Sequence, residues 1–226
     1  MKIVLATRNR DKAREILAML QGLDLEVVTL ADFTGAPETI EDGETLEANA
    51  FKKAREARDH TGLSALADDT GLEVAALGGA PGVYAARYAG EHATYADNCR
   101  KLLAALEGVP ASKRRARFRT VMALALSAGD AKHLAAAAQD HPEIALMGAG
   151  DRLLSEGILN GSIATAASGE HGFGYDPVFV DASQNRTLAQ MTLAEKNQSS
   201  HRYRALLEMR EMLLRFGLVR EQEGAK

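Results

Sequence analysis

The chemistry of this chain concentrates between Leu66 and Gly90, LADDTGLEVAALGGAPGVYAARYAG, where two adjacent carboxylates, Asp68 and Asp69, follow an apolar run and precede Thr70 and Gly71. Acidic groups at a strand end are placed to hold a cation, and this pattern predicts a strand ending in a turn at Thr70-Gly71. Side chains alternate along a strand, so Asp68 and Asp69 point to opposite faces unless the chain bends there. One of the two therefore leads, and Asp69 is taken first, with Asp68 as a helper. Glycine-punctuated loops beside such acids are where sites are built.

Two further clusters carry charge suited to an anion. Thr7-Arg8-Asn9-Arg10-Asp11-Lys12 follows the apolar run Ile3 to Ala6 and precedes a helical repeat of Ala13, Ile16, Leu17 and Leu20. A helix start presents unpaired amides and partial positive charge, so this loop can seat a phosphate. Lys196, His201 and Arg202 place donors at a second helix start, with Ser199 or Ser200 as its N-cap. Glu41, just ahead of a helix, is either a surface carboxylate favoured by the dipole or a second metal ligand opposite Asp69. The six histidines show no zinc spacing, whereas hard oxygen ligands such as Glu41 and Asp69 suit magnesium. In Phe173-Gly174-Tyr175-Asp176 the glycine permits close approach to a ligand, and either aromatic offers a flat face for a base.

The elements that must position these groups follow from periodicity. Strand, loop and helix open the chain; Leu25 to Leu30 reads as a strand and 31–42 as a loop. A helix runs from near Thr45 to Gly62, and Asn49 within it has poor propensity, so it faces either a site or solvent. Cys99, Leu102, Leu103 and Leu106 line a helix in which Cys99 is a small core residue. Arg115, Arg117 and Arg119 alternate with Ala116, Phe118 and Thr120, a half-buried strand with a solvated face rather than a nucleic-acid patch. Residues 127–154 read as two extended pieces joined by a loop with a possible helical turn, a stretch assigned no chemistry, and Ile158 to Ala166 as a strand.

Composition bounds the rest. With 226 residues, 46% hydrophobic and 26% charged, the chain can bury a core as one large domain. A net charge of −4 disfavours a nucleic-acid polymer as partner. One cysteine excludes an internal disulfide and fits a reducing cytoplasm. No apolar run reaches the ~20 residues of a membrane span, and the opening MKIVLATRNR is no signal peptide, so a soluble protein is expected.

LATRNRDK at 5–12, Glu41 with Glu47-Ala48-Asn49-Ala50, LADDTGLEV with GGAPGVYAARY, FGYDP at 173–177, and Lys196 with SHR at 200–202 together resemble the inosine triphosphate pyrophosphatase family. The likeness runs from Lys2 to about Phe216. It implies an α/β fold, an elongated mixed sheet flanked by helices in two lobes with a substrate cleft between, as a homodimer. It implies Mg²⁺-dependent hydrolysis of dITP, ITP and XTP to the monophosphate and pyrophosphate. Thr7, Arg8, Asn9, Arg10, Asp11 and Lys12 would hold the triphosphate, Glu41 and Asp69 the metal, and Asp69 would accept the proton of the attacking water. Thr70, Phe173, Gly174, Tyr175, Asp176, Lys196, His201 and Arg202 would bind nucleotide, with Phe173 stacking on the base and His201-Arg202 addressing its edge. Three departures accompany the likeness: Arg8, His171 and the longer stretch at 129–153, expected as an extended hairpin leading away from the site. A non-catalytic nucleotide sensor or a pyrophosphatase of other modified nucleotides stays open, while a phosphatase with an aspartyl nucleophile needs an Asp-x-Asp that is absent.

Overall fold

A computed structural model describes residues 1–36, 38–141, 143–146, 150–196, 198 and 200–222, Ala145 and Leu146 by backbone alone. Pro37 of the expected loop, Ser199 as a candidate cap, and 147–149 within the expected hairpin lie outside the described residues. The strands are β1 (Lys2–Leu5), β2 (Glu26–Thr29), β3 (Ser64–Val74), β4 (Pro81–Gly82), β5 (Arg115–Ala125), β6 (Arg152–Ile163) and β7 (Phe179–Asp181). The helices are α1 (Arg10–Leu20), α2 (Leu46–Thr61), α3 (Tyr95–Ala105), α4 (Ala128–Ala137), α5 (Glu143–Leu146), α6 (Leu193–Lys196) and α7 (His201–Arg215). The seven strands form one mixed sheet in the order β2-β1-β3-β5-β6-β7, with β4 on β3. β1 pairs in parallel with β2 and β3, while β3–β4 and β6–β7 are antiparallel.

The chain divides into two compact units, 1–69 with 121–156 and 205–226, and 70–120 with 157–204. In the first, Ile3 and Leu5 of β1, Leu66 of β3, Met122 and Leu124 of β5 and Leu126 just past its end pack against Ile16 and Leu20 of α1 and Leu206, Met209 and Leu213 of α7. These positions alternate on the strands and recur at three or four on the helices, the periods that turn one face inward. In the second, Leu72 and Val74 of β3, Phe118 of β5, Leu159 and Ile163 of β6 and Phe179 of β7 enclose Cys99 and Leu102 of α3.

Two expectations are corrected. β3 does not turn at Thr70-Gly71; it runs through both residues to Val74, nearly every position buried. A glycine weakens a strand without ending it, and burial of Leu72 and Val74 carries the strand on. Nor do the described residues of 129–153 form a hairpin. Ser127 caps α4 by accepting from Asp130 N at 3.3 Å, and the alanine-rich segment behind it has strong helix propensity. Leu134 is its buried anchor. β6 starts at Arg152, six residues before the strand expected from Ile158.

Among the described residues no helix is long and apolar enough to cross a membrane.

Candidate active site

The first unit holds the acids. Because β3 is regular, Asp68 and Asp69 leave it on opposite faces, and each meets its own lysine. Lys12 Nζ lies 3.0 Å from Asp68 Oδ2. Lys53 Nζ lies 3.0 Å from Asp69 Oδ1 and 2.9 Å from Glu41 Oε1, so one ammonium bridges the two acids expected to hold metal. Asp68 is 3% and Asp69 5% exposed. Burial raises the pKa of Asp69 against the opposing pull of Lys53 and Lys12. Burial also works against the charge on Lys53, but Asp69 and Glu41 outweigh it and its pKa is raised. The result is a desolvated carboxylate whose proton affinity is above that of a free aspartate, the property of a general base.

Asn49 explains how Glu41 reaches this cluster. Wholly buried on α2, it donates to Asp69 Oδ2 at 3.3 Å while its Oδ1 accepts from Gly43 N at 2.8 Å, tying the 41–43 segment to β3. A Cβ on Gly43 would stand 2.5 Å from Asn49 Oδ1, so only glycine permits that approach. Of the two placements open to Asn49 in the sequence, the structure takes the one beside the acids.

The loop at the start of α1 is self-organised. Asn9 Oδ1 accepts from Asp11 N and Lys12 N at 3.0 and 3.1 Å, and Asn9 N donates to Thr7 Oγ1 at 3.2 Å. Asn9 is thus the N-cap, satisfying two amides that would otherwise face a ligand. Asp11 points to Arg14, 3.2 Å away. Exposed Arg8 donates to Ala36 O at 2.7 Å, and Arg10 is also exposed. Thr7, Arg8, Asn9 and Arg10 line one wall of a cavity of about 510 Å³, and Thr29, Phe33 and Ala36 line the other.

The second unit holds the aromatic and donor cluster. Lys196 and Asp176, both 3% exposed, form a buried ion pair of 2.7 Å. Asp176 Oδ2 also accepts from Phe173 N at 2.8 Å, which shapes the glycine loop. A Cβ on Gly172 would collide with that carboxylate. Half-buried Phe173 has Lys196 Nζ 4.5 Å and Arg202 Cζ 5.6 Å from its ring centroid. Tyr175 is spent on packing: 5% exposed, it donates its hydroxyl to Ala85 O at 2.9 Å, and burial raises its pKa. Gly174 presents its carbonyl to Cys99 Sγ at 3.3 Å. Thr70, His201 and Arg202 meet Thr120: Thr70 Oγ1 is 2.7 Å from Thr120 Oγ1, which is 2.6 Å from His201 Nδ1, and Arg202 Nη2 donates to Thr70 Oγ1 at 3.3 Å. Ser200 caps α7 by accepting from Tyr203 N at 3.1 Å.

Sequence reasoning missed Lys53, Thr120 and Arg114. Lys53 sits four residues after Asn49 on α2, and that i, i+4 relation to an ill-suited helical Asn was the available signal. Arg114, next to the strand taken as solvated, is 5% exposed and donates to the carbonyls of Val109, Ala164 and Leu106 at 2.9, 2.9 and 2.7 Å.

The fold is mixed α/β, with lysine-bound buried acids in one unit and a cationic aromatic cluster in the other. Residues 3–212 match the Ham1 family, and the chain belongs to it. It is 48% identical over 207 residues to a dITP/XTP pyrophosphatase of Syntrophobacter fumaroxidans, covering 92% of this chain and 79% of that protein. It is 45% identical over 212 residues to one of Geobacter sulfurreducens, covering 94% and 96%. Among solved structures it is similar to a HAM1 protein from Coxiella burnetii, with TM-score 0.79, 39% identity and coverage of 94% and 98%. A dITP/XTP pyrophosphatase from Mycobacterium abscessus gives 0.68, 40%, 92% and 98%.

Proposed function

We propose that this chain hydrolyses non-standard purine nucleoside triphosphates, dITP, ITP and XTP, to the monophosphate and pyrophosphate. The observation that carries the reading is the buried Asp69, held by Lys53 beside Glu41, in a chain similar over nine-tenths of its length to dITP/XTP pyrophosphatases. Asp69, with proton affinity raised by burial, accepts the proton of the water that attacks the α-phosphorus. Lys53 stabilises the carboxylate and lies ready to offset phosphate charge. The side chains of Thr7 to Lys12, Lys12 foremost, hold the phosphate tail. In the second unit Phe173, Lys196 and Arg202 favour an electron-rich ring and its attached oxygens, and His201 with Arg202 address the base edge.

The residues fit magnesium. Two hard carboxylates converge on one cation, Lys53 Nζ, within 3.0 Å. That is the donor set of a magnesium ion shared between one or two protein carboxylates and substrate phosphates. Bound there by Glu41 and Asp69, the ion would neutralise phosphate charge and make pyrophosphate a better leaving group. As a further part of the same reading, the chain works as a homodimer in the cytoplasm on a small-molecule substrate, with no nucleic-acid polymer or membrane partner.

A panel of ITP, XTP, dITP, GTP and ATP with magnesium, scored for pyrophosphate against orthophosphate, tests the proposal. Pyrophosphate arises from the first three, and Asp69→Asn or chelator abolishes it. Orthophosphate as first product, or ATP turned over as fast as ITP, overturns it.

A further inference from the structure

Thr120 lies on β5 two residues after Phe118, on the same face, and is 0% exposed. β5 neighbours β3 in the sheet, which sets Thr120 beside Thr70. Phe118 stacks on the His201 ring, centroids 4.6 Å apart and planes at 28°. That packing holds the ring plane, and the contact at Nδ1 bears on which nitrogen carries the proton.

We infer that Thr120 is a positioning residue that fixes the tautomer of His201, through a directed chain Arg202 → Thr70 → Thr120 → His201. A guanidinium only donates, so at the 3.3 Å contact Arg202 gives its hydrogen to Thr70 Oγ1. Thr120 has one hydroxyl hydrogen and two contacts, Thr70 Oγ1 at 2.7 Å and His201 Nδ1 at 2.6 Å. The cation at the head of the chain decides between them. Hydroxyl hydrogens turn away from a positive charge, and bonds running head to tail polarise one another favourably. Thr70 therefore donates to Thr120, and Thr120 donates to Nδ1. Nδ1 becomes the acceptor and the imidazole is the Nε2–H form, with a donor at its far nitrogen.

This inference rests on the proposed function for its consequence. Hypoxanthine and xanthine carry an oxo group at position 6, an acceptor, where adenine carries an amino group, a donor. A histidine held as an Nε2–H donor matches the first and opposes the second, and a buried mismatch of that kind separates substrates strongly. Thr120 touches neither base nor phosphate in this scheme; it acts on His201.

The test is nitrogen–proton NMR of the imidazoles in the full chain, with the His201 signals assigned by their loss in His201→Gln, together with the ratio of kcat/KM for ITP over ATP. Wild type shows the Nε2–H pattern. Thr120→Ser, which keeps the hydroxyl, shows the same pattern and the wild-type ratio. Thr120→Val, which keeps the shape, loses the single-tautomer pattern and its ITP:ATP ratio falls by about tenfold or more. An Nδ1–H pattern in wild type overturns the inference, as does a Thr120→Val protein with unchanged tautomer and ratio. Should Thr120→Val not fold, the wild-type and Thr120→Ser spectra still decide. A wild-type protein inert toward ITP would sink the proposed function, while the tautomer would still be read from the spectrum.

Discussion

Replacing Lys53 by methionine removes one ammonium and leaves two carboxylates facing each other. Lys53 Nζ is 2.9 Å from Glu41 and 3.0 Å from Asp69, so the acids lie within about 6 Å, where two unit charges repel by about 3 kcal/mol at an effective dielectric of about 20. Breaking a buried pair on one side costs roughly 3–5 kcal/mol. Glu41 retains 29% side-chain exposure, and water screens it, so the lower end applies. A loss of about 3 kcal/mol in a chain of this size lowers Tm by about 6–12 °C at neutral pH. The pH dependence has a defined sign. Burial already raises the Asp69 pKa, and without Lys53 it rises further above its unfolded value. The folded variant then binds more protons than the unfolded chain as pH falls, so the deficit relative to wild type shrinks toward about pH 4.5. Thermal scans of both proteins at the two pH values read this directly. A Tm equal to wild type at neutral pH, or a deficit that does not change with pH, would refute the reasoning.

Arg114→Ala strands three carbonyl acceptors that the guanidinium now serves. It should cost about 3 kcal/mol by denaturant titration and leave KM for ITP unchanged; a large KM change would mean Arg114 acts on substrate. Cys99, buried and accepted by Gly174 O, has its thiol pushed up to about 11 from 9.0 by desolvation. Near pH 8 iodoacetamide should alkylate it at least about 100-fold more slowly in the folded protein than in the unfolded one. Its raised pKa also contributes stability that is complete below the unfolded value and lost as pH climbs through about 11. Equal alkylation rates in the two states would place the thiol at the surface.

Much of this arrangement was legible in the residues themselves, for local reasons. The strand, loop and helix at the start follow from the Ile3 to Ala6 run and from Asn9, whose side chain caps α1. The pleat alone singled out one acid at a time, and the structure gives Asp68 and Asp69 different lysines. What failed was local chemistry overridden by tertiary burial. Thr70-Gly71 looked like a turn, but Leu72 and Val74 bury fully and draw β3 onward. Gly129 masked α4, although Ser127 caps it and the alanines behind favour it. Nothing near Arg114 in the sequence announces the carbonyls of Leu106 and Ala164 that it serves. Lys53 and Thr120 are ordinary residues of a helix and a strand. Their roles exist only once α2 lies by β3, and β5 by β3, so pattern could not display them.

Hydrolysis of ITP in water enriched in heavy oxygen puts the account at most direct risk. Attack on the α-phosphorus by the water that Asp69 deprotonates delivers the label to inosine monophosphate and leaves pyrophosphate unlabelled. Label in the pyrophosphate, or release of labelled orthophosphate, would contradict it.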